Sequence, residues 1–563
     1  MPDNYQIADH FSLLSKLMDI HGENSFKSKS YSIAAFNIEK LPTQLSEMPV
    51  ENIASIKGIG DAIGQKIMGI LQTGKLAILE NYIQKTPPGI LEMLQIKGLG
   101  PKKIATIWKE MEIESIGELL YACNENRLSR LKGFGEKTQL NVRDSIEFFL
   151  KNQGNYLYAE LVTYANQVDL MLKKQFPTDQ FELTGGFRRQ METLNALDWV
   201  TTAERSSLQE ALEKNDFAAV NSSPELLQVR GPENIQLNFH FALPENFGSR
   251  LFATSCAAVF MEAWQKNYGD LASFPDESAI FTKHDLPLIP PCLRETAGIL
   301  TKVANPAFGV AGRHLPTLIQ PEDIRGIIHS HSTWSDGAHS LEEMARAAKA
   351  RGLEYLVISD HSKVAFYANG LSEERVKAQH EEIDQLNEKL KPFRIFKSIE
   401  ADILNDGSLD YGDSFLSCFD LVIASVHSNL KMTEEKAMSR LLNAIKNPHT
   451  TILGHMTGRL LLSRSGYPVN HEKIIEACQH YGVVIEHNAH PRRLDIDWKW
   501  IEAALNAGLL ISIDPDAHSI EGFDHTRYGV LSAQKGGLTK EKNLSSFTLA
   551  EFEDYLKKRK ARA

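Results

Sequence analysis

The chain is poor in cysteine. Its five residues of that type (Cys123, Cys256, Cys292, Cys418 and Cys478) are scattered, odd in number and never spaced as Cys-x-x-Cys. That argues against a disulfide framework and against a thiolate zinc site. Long apolar runs are missing as well, none approaching the roughly 18 residues that span a membrane, and there is no low-complexity tract. The opening MPDNYQIADHFSLLSKL is amphipathic with acidic residues and lacks the basic-then-apolar layout of a secretory signal. The expectation is a cytoplasmic, monomeric chain without a membrane partner. Positive charge is in the minority, with 61 basic against 72 acidic residues. A net charge of −11 argues against a wholesale nucleic-acid coat, but not against a local one. Residues 1–150 hold 17 basic against 18 acidic residues, so the acidic excess lies in the remainder. At 563 residues the chain is too long for one core, and three or four domains are expected.

Histidine is abundant and unevenly placed. Five of the 19 precede residue 320 (His10, His21, His240, His284 and His314), and 14 follow it. Beyond Pro321 short apolar runs alternate with amphipathic stretches: IRGIIHSH, YLVISDH, RIFKSIEADI, LVIASVH, TTILGHM, VVIEHNAH and LLISIDPDAH. Apolar strands alternating with helices predict a parallel sheet covered by helices, of about the size of a (β/α) barrel. Each run closes on metal-ligand chemistry: His329/His331, His361, Glu400, His427, His455, His487/His490 and Asp516/His518. In such barrels the C-terminal strand ends converge on one face. In His329-Ser330-His331 and Asp516-Ala517-His518 the two-residue spacing places both side chains on one face of a strand. Asp336 follows in the turn STWSDG. One histidine at a strand end is usually a satisfied core or surface residue; seven successive strand ends carrying ligands are not independent accidents.

These residues, with SDHS, GHMTGRLLLSRSGY and NAHPRRLD around them, closely resemble the PHP (polymerase and histidinol phosphatase) family over residues 321–563. The resemblance implies a distorted (β/α)7 barrel and nine ligands: His329, His331, Asp336, His361, Glu400, His427, His455, Asp516 and His518. It implies three divalent ions, Mn2+, Zn2+ or Fe2+, which a set of nitrogen and oxygen donors without thiolates suits. His329, His331 and Asp516 would hold one ion; His427 and His455 a second, with Glu400 between them; Asp336, His361 and His518 the third. Arg459 and Arg493 are candidates to clamp phosphate or to serve as structural ion-pair partners. His487 and His490 are extra to the nine.

In the first half Ile56-Lys-Gly-Ile-Gly60, Ile96-Lys-Gly-Leu-Gly100 and Leu131-Lys-Gly-Phe-Gly135 repeat one pattern between amphipathic helices. This is the helix-hairpin-helix pattern. Gly58, Gly60, Gly98, Gly100, Gly133 and Gly135 would bring backbone amides against phosphate without reading sequence. DNA ends, gaps or single strands are the expected partners. Thr184-Gly-Gly-Phe-Arg188-Arg189, leading to Asp198, resembles the palm of family X DNA polymerases, and Ile289-Pro-Pro-Cys-Leu-Arg-Glu295 resembles part of their thumb. The whole order matches the bacterial members of that family, with an α-helical hairpin region, an α+β nucleotidyltransferase-like palm and thumb, and the barrel. The domains expected are 1–85, 86–150, 151–235, 236–315 and 321–563.

Two of the three metal-binding carboxylates that the resemblance calls for are replaced, by Ala196 and Asn238, which leaves Asp198; Leu251-Phe-Ala-Thr-Ser255 also departs from the thumb pattern. Neither Ala nor Asn substitutes for a carboxylate that bridges Mg2+, so polymerase activity is expected to be lost. Lys66, a candidate DNA-binding residue, falls where eukaryotic relatives carry a Schiff-base lysine, but an ordinary solvated helix lysine is the preferred reading. The expected function is a DNA repair protein with metal-dependent 3′→5′ exonuclease or 3′-end phosphoesterase activity. The alternatives are a small-molecule phosphatase of the histidinol-phosphatase kind and a non-catalytic DNA-end scaffold. An isolated fragment near 315–563 is expected to keep its metals.

Overall fold

The computed structural model describes the chain apart from Met1, Asp3, Lys40, Pro42, Lys97, Asn152, Gln153, Pro232, Glu233, residues 305–314 and the last two. Lys97 of the second hairpin and the 305–314 end of the thumb-like stretch therefore lie outside the described residues. Contacts divide the chain into two compact units, Met1–Asn124 with Lys132–Phe149, and Glu125–Leu131 with Leu150–Ala563.

The first unit is helical among its described residues. Its two leading helices, Asn4–His21 and Ser25–Glu39, pack through Phe11 and Tyr31, whose rings stack at 5.9 Å. Each hairpin turns on a glycine with left-handed backbone: Gly58 at φ 82°, Gly98 at φ 91° and Gly133 at φ 89°. A side chain there would be strained, which is why the pattern demands glycine. Gly60 and Gly100 then cap helices Asp61–Thr73 and Pro101–Met111, and Gly135 precedes Glu136–Lys151. Among the described residues, and leaving aside each glycine's chain neighbours, nothing lies within 4 Å of where a side chain would begin on Gly60, Gly98, Gly100, Gly133 or Gly135, so these turns leave room for an approaching phosphate. The first turn is braced, with Asn37 donating to the Lys57 carbonyl at 2.6 Å.

The second unit begins with a five-stranded mixed sheet in the order Phe181–Thr184, Ala196–Thr201, Gln236–Phe241, Leu226–Arg230, Ala218–Ser222. Its core includes fully buried Trp199, stacked on Phe239 at 5.5 Å. Gln236–Phe241 pairs along its whole length with Ala196–Thr201, so the sheet continues past the expected boundary at 235/236. The thumb-like segment that follows is helical and built around buried Arg294, which lies between the Phe252 and Phe281 rings and donates to Glu277 at 2.6 Å.

The barrel strands are β1 (Gly326–Ile327), β2 (Tyr355–Ile358), β3 (Arg394–Asp402), β4 (Leu421–Ser425), β5 (Thr450–Leu453), β6 (Val484–Asn488) and β7 (Ile511–Asp514). They form one parallel seven-stranded sheet in sequential order. Nearly all their residues are buried, as expected for strands covered on both faces. The outer helices start on the signals their sequences carry: Ser340 with Glu343 and Thr548 with Glu551 form capping boxes, and Ser372, Thr433 and Asn470 cap with their side chains. The sheet nearly closes at the ligand residues, where His331 N–H donates to the Ala517 carbonyl at 2.9 Å and Ala517 N–H to that of His329 at 3.2 Å.

This closure corrects the expectation that the two ligand pairs lie on strand faces. His329 and Asp516 sit past their strands in left-handed backbone, at φ 62° and φ 51°. For an L-residue that conformation costs about 1–2 kcal/mol, and such outliers gather at functional sites. Here the turn tips both side chains inward.

Candidate metal centre

The structure brings all nine expected ligand residues into overlapping buried groups: His331/Asp336/His361/His518, His329/Glu400/His455, His329/His331/Asp516 and His361/Glu400/His427. Glu400, fully buried at the end of β3, is the hub. Its Oε1 lies 3.2 Å from His329 Nε2 and 3.0 Å from both His427 Nε2 and His455 Nε2; its Oε2 lies 3.0 Å from His361 Nδ1. Asp516 Oδ1 lies 3.2 Å from His331 Nε2 and 3.5 Å from His329 Nε2. Asp336 Oδ1 lies 3.4 Å from His518 Nε2, and its Oδ2 is 3.6 Å from His361 Nε2. His331 borders two groups rather than one.

The electrostatics follow from this crowding. Burial works to raise the Glu400 carboxyl, but His427, His329 and His361 outweigh it and hold it well below the usual carboxylate range. His427 moves the other way. Burial is overcome by Glu400 and Asp402, and its imidazole is pushed up to about 10. His331 is pushed down to about 3 by burial and by the neighbouring His518 and His361, so it presents a neutral ring. Among the described residues, His331 Nδ1, His455 Nδ1 and Asp336 Oδ2 are buried without a hydrogen-bond partner. Buried polar atoms left in that way are costly and call for a further partner. Imidazole nitrogens and carboxylate oxygens converging without thiolate fit first-row divalent cations.

Outside the nine stand residues that the sequence pattern did not single out. Glu486 accepts from His329 Nδ1 at 2.5 Å and from the His455 amide at 2.9 Å. Asp402 contacts His427 Nδ1 at 3.1 Å. Asp360 accepts from the Ser332 amide at 2.8 Å, from Ser335 Oγ and from Gln379 Nε2 at 2.6 Å. Such outer partners fix the tautomer and orientation of the ligands. Glu486 and Asp402 were legible in principle, in VVIEHNAH and in the two-residue step from Glu400.

The two arginines part company. Arg493 Nε lies 3.6 Å from Asp516 Oδ2, at the edge of the cluster. Arg459 is turned into the protein, paired with Asp497 at 2.7 Å and Glu192 at 2.8 Å and donating to the carbonyls of Arg493 and Leu494. Those bonds take up its guanidinium in joining the palm-like sheet region to the barrel. His487 and His490 join none of the ligand groups among the described residues. Lys66 donates to the Ala62 carbonyl at 3.0 Å, one turn back on its own helix, and lies 5.9 Å over the Tyr31 ring.

In the palm-like sheet Ala196 and Asp198 stand opposite Gln236 and Asn238. Asn238 Nδ2 donates to Asp198 Oδ1 at 3.0 Å, and His240 Nε2 lies 3.1 Å from the same oxygen. Asn238 Oδ1 in turn accepts from Gln228 and Gln236, each at 3.0 Å. Arg188 pairs with Glu277 at 2.8 Å, and Arg189 with Glu295 at 2.7 Å.

Residues 328–518 match the PHP domain family, residues 2–76 a helix-hairpin-helix domain family, and residues 90–146 a SAM-like helix-hairpin-helix tandem family. The chain is 31% identical to the DNA polymerase/3′-5′ exonuclease PolX of Bacillus subtilis, over 96% of this chain and 97% of that protein. The chain belongs to the family X DNA polymerases that carry a PHP domain. A probable phosphatase of Thermoanaerobacter sp. is 29% identical over 41% of this chain and 94% of its own length. Another, from Vibrio parahaemolyticus, is 27% identical over 39% of the chain and 88% of its own length. The chain joins hairpin elements to a PHP barrel whose clustered histidines and carboxylates suit metal binding. Among the described residues no helix is long and apolar enough to cross a membrane.

Proposed function

We propose that this chain is a DNA repair nuclease in which the PHP barrel removes 3′ nucleotides or 3′ blocking groups and the palm no longer polymerises. The observation that carries the reading is the gathering of nine ligand residues, eight of them buried, into overlapping groups, with Glu400 in contact with His329, His361, His427 and His455. Three divalent ions, Mn2+, Zn2+ or Fe2+, are the cofactors this set would hold: His329, His331 and Asp516 one, His427, His455 and Glu400 a second, Asp336, His361 and His518 a third. Bound there, such ions supply the Lewis acidity that activates water and neutralises phosphoryl charge. The chain's own residues do the rest. Glu400 joins neighbouring ligand groups; Glu486 and Asp402 hold the rings of His329 and His427; Arg493 adds a cation beside Asp516 for a phosphate oxygen.

The hairpin turns at Gly58/Gly60, Gly98/Gly100 and Gly133/Gly135, open at every one of these glycines except Gly58, support non-specific DNA binding at ends, gaps or single strands. Loss of polymerase activity is supported by Ala196 and by the amide of Asn238, which occupies the remaining carboxylate Asp198. The five expected segments, with the palm extended to Phe241, are the working parts, in a monomer acting in the cytoplasm. A second reading, a small-molecule phosphatase, is favoured by the likeness of 39–41% of the chain to nearly whole probable phosphatases. One comparison separates the two. The chain should digest 5′-labelled and 3′-labelled oligonucleotides from the 3′ end with Mn2+ and act poorly on histidinol phosphate. Efficient monoester hydrolysis with no release from DNA would favour the phosphatase.

A further inference from the structure

Three ligand histidines share one arrangement, and one of their partners comes from outside the barrel. His329 directs Nε2 toward Glu400 at 3.2 Å and Nδ1 toward Glu486 at 2.5 Å. His427 directs Nε2 toward Glu400 at 3.0 Å and Nδ1 toward Asp402 at 3.1 Å. His518 directs Nε2 toward Asp336 at 3.4 Å and Nδ1 toward Glu125 Oε2 at 2.6 Å, with the Asp516 carbonyl also 3.0 Å from Nδ1. In each case one ring nitrogen faces the cluster and the other meets a buried carboxylate. Glu486 and Asp402 belong to barrel strands. Glu125 belongs to neither strand nor barrel. It follows helix Ile116–Asn124, precedes Asn126 in left-handed backbone, and lies six residues before Leu131 of the third hairpin pattern.

Glu125 is well buried, at 4% exposure, and segment Glu125–Leu131 packs as part of the barrel-containing unit. A buried carboxylate is expensive to desolvate unless it is paired, and its partner here is a ligand ring. We propose that Glu125 is a positioning residue for the metal centre: it holds the Nδ1 proton of His518 so that Nε2 presents its lone pair to the ion shared with Asp336 and His361. The inference rests on the metal reading above. It makes the third ion site a joint product of the barrel and of the segment leading into the third hairpin. The expectation that residues 315–563 alone keep all their metals is revised accordingly, since that fragment lacks Glu125.

Outer carboxylates on ligand histidines typically change metal affinity about 10–100-fold. The test uses the full chain and counts bound metal by mass spectrometry across buffered free Mn2+ or Zn2+. Glu125→Ala should weaken one ion about 10–100-fold and leave the others at wild-type affinity. Glu125→Gln, whose carbonyl oxygen can still accept from Nδ1, should fall between Ala and wild type, and it keeps the test decisive if Ala folds poorly. His518→Ala should weaken the same ion, and adding Glu125→Ala to it should cause little further loss. Wild-type loading of both Glu125 variants, or fully additive losses in the double variant, overturns the proposal while leaving the metal centre standing. A wild-type chain that binds no ion overturns both.

Discussion

Asn238 Nδ2 donates to Asp198 Oδ1 at 3.0 Å, so the last palm carboxylate is bound by a neutral amide where family relatives place a second acid. Template-directed nucleotide incorporation on primed or gapped DNA should therefore be absent with Mg2+ or Mn2+. Restoring Ala196→Asp and Asn238→Asp together sets like charges about 3 Å apart, which destabilises the metal-free palm. The double variant should melt below wild type in chelator and recover with millimolar Mg2+. Incorporation by the unmodified chain, free of other polymerases, would contradict the assignment.

Glu192 and Arg459 form a part-buried pair at 2.8 Å. Removing the acid leaves Arg459 with Asp497 and two carbonyls, so Glu192→Ala should cost about 1–3 kcal/mol of stability. Hydrolysis of a small phosphodiester by this variant should stay within about twofold of wild type. Arg493→Ala should show the opposite pattern, with near wild-type melting and a drop of about 100–1,000-fold in kcat, the scale of a single electrostatic contact in the transition state. Equal effects of the two substitutions on catalysis would return Arg459 to the site.

His487 is fully buried, its Nδ1 donating to the Ile496 carbonyl at 2.8 Å. Burial pushes its imidazole down to about 4 from the ordinary 6.5. The unfolded chain thus takes up a proton that the folded one refuses. The stability gained by keeping this ring neutral is fully present above pH 6.5 and is lost as pH falls from there through about 4. Urea midpoints of the metal-free barrel transition should decline over that window. In His487→Gln, which cannot titrate, the decline should be shallower. Identical pH profiles would show that this ring is not held neutral.

Chelation should destabilise the barrel. Asp336, Glu400 and Asp516 are all buried beside one another's ligands, and ions that bind only the folded state stabilise it by about 2.7 kcal/mol at a hundredfold excess over Kd. The melting temperature should fall on metal removal and return with Mn2+ or Zn2+. Glu400→Gln, which weakens the hub, should abolish most of that response. A melting temperature indifferent to metal would leave the cluster without its proposed cofactor.

Much of the barrel could be read from sequence because its strands are buried on both faces and end in ligand residues; the period and the chemistry coincide at His361, Glu400, His427 and His455. Its closure could not. The left-handed backbone of His329 and Asp516 goes with a bridge between the segments that follow the first and last strands, which local spacing does not encode. The membership of Gln236–Phe241 in the five-stranded sheet was hidden for a related reason, since it comes from pairing with Ala196–Thr201 and Leu226–Arg230. Glu125 left no signal at all. An acidic residue after a helix is common, and its meaning comes from a contact with His518 that is remote in sequence.

The nuclease assignment is tested most directly by a 5′-labelled oligonucleotide incubated with metal-stripped chain reloaded with Mn2+, beside Asp516→Ala. Wild type should shorten the strand one nucleotide at a time from the 3′ end, while Asp516→Ala should bind the DNA and leave it intact. Absence of a ladder with Mn2+, Zn2+, Fe2+ and Mg2+ alike, or an undiminished ladder from Asp516→Ala, would contradict it.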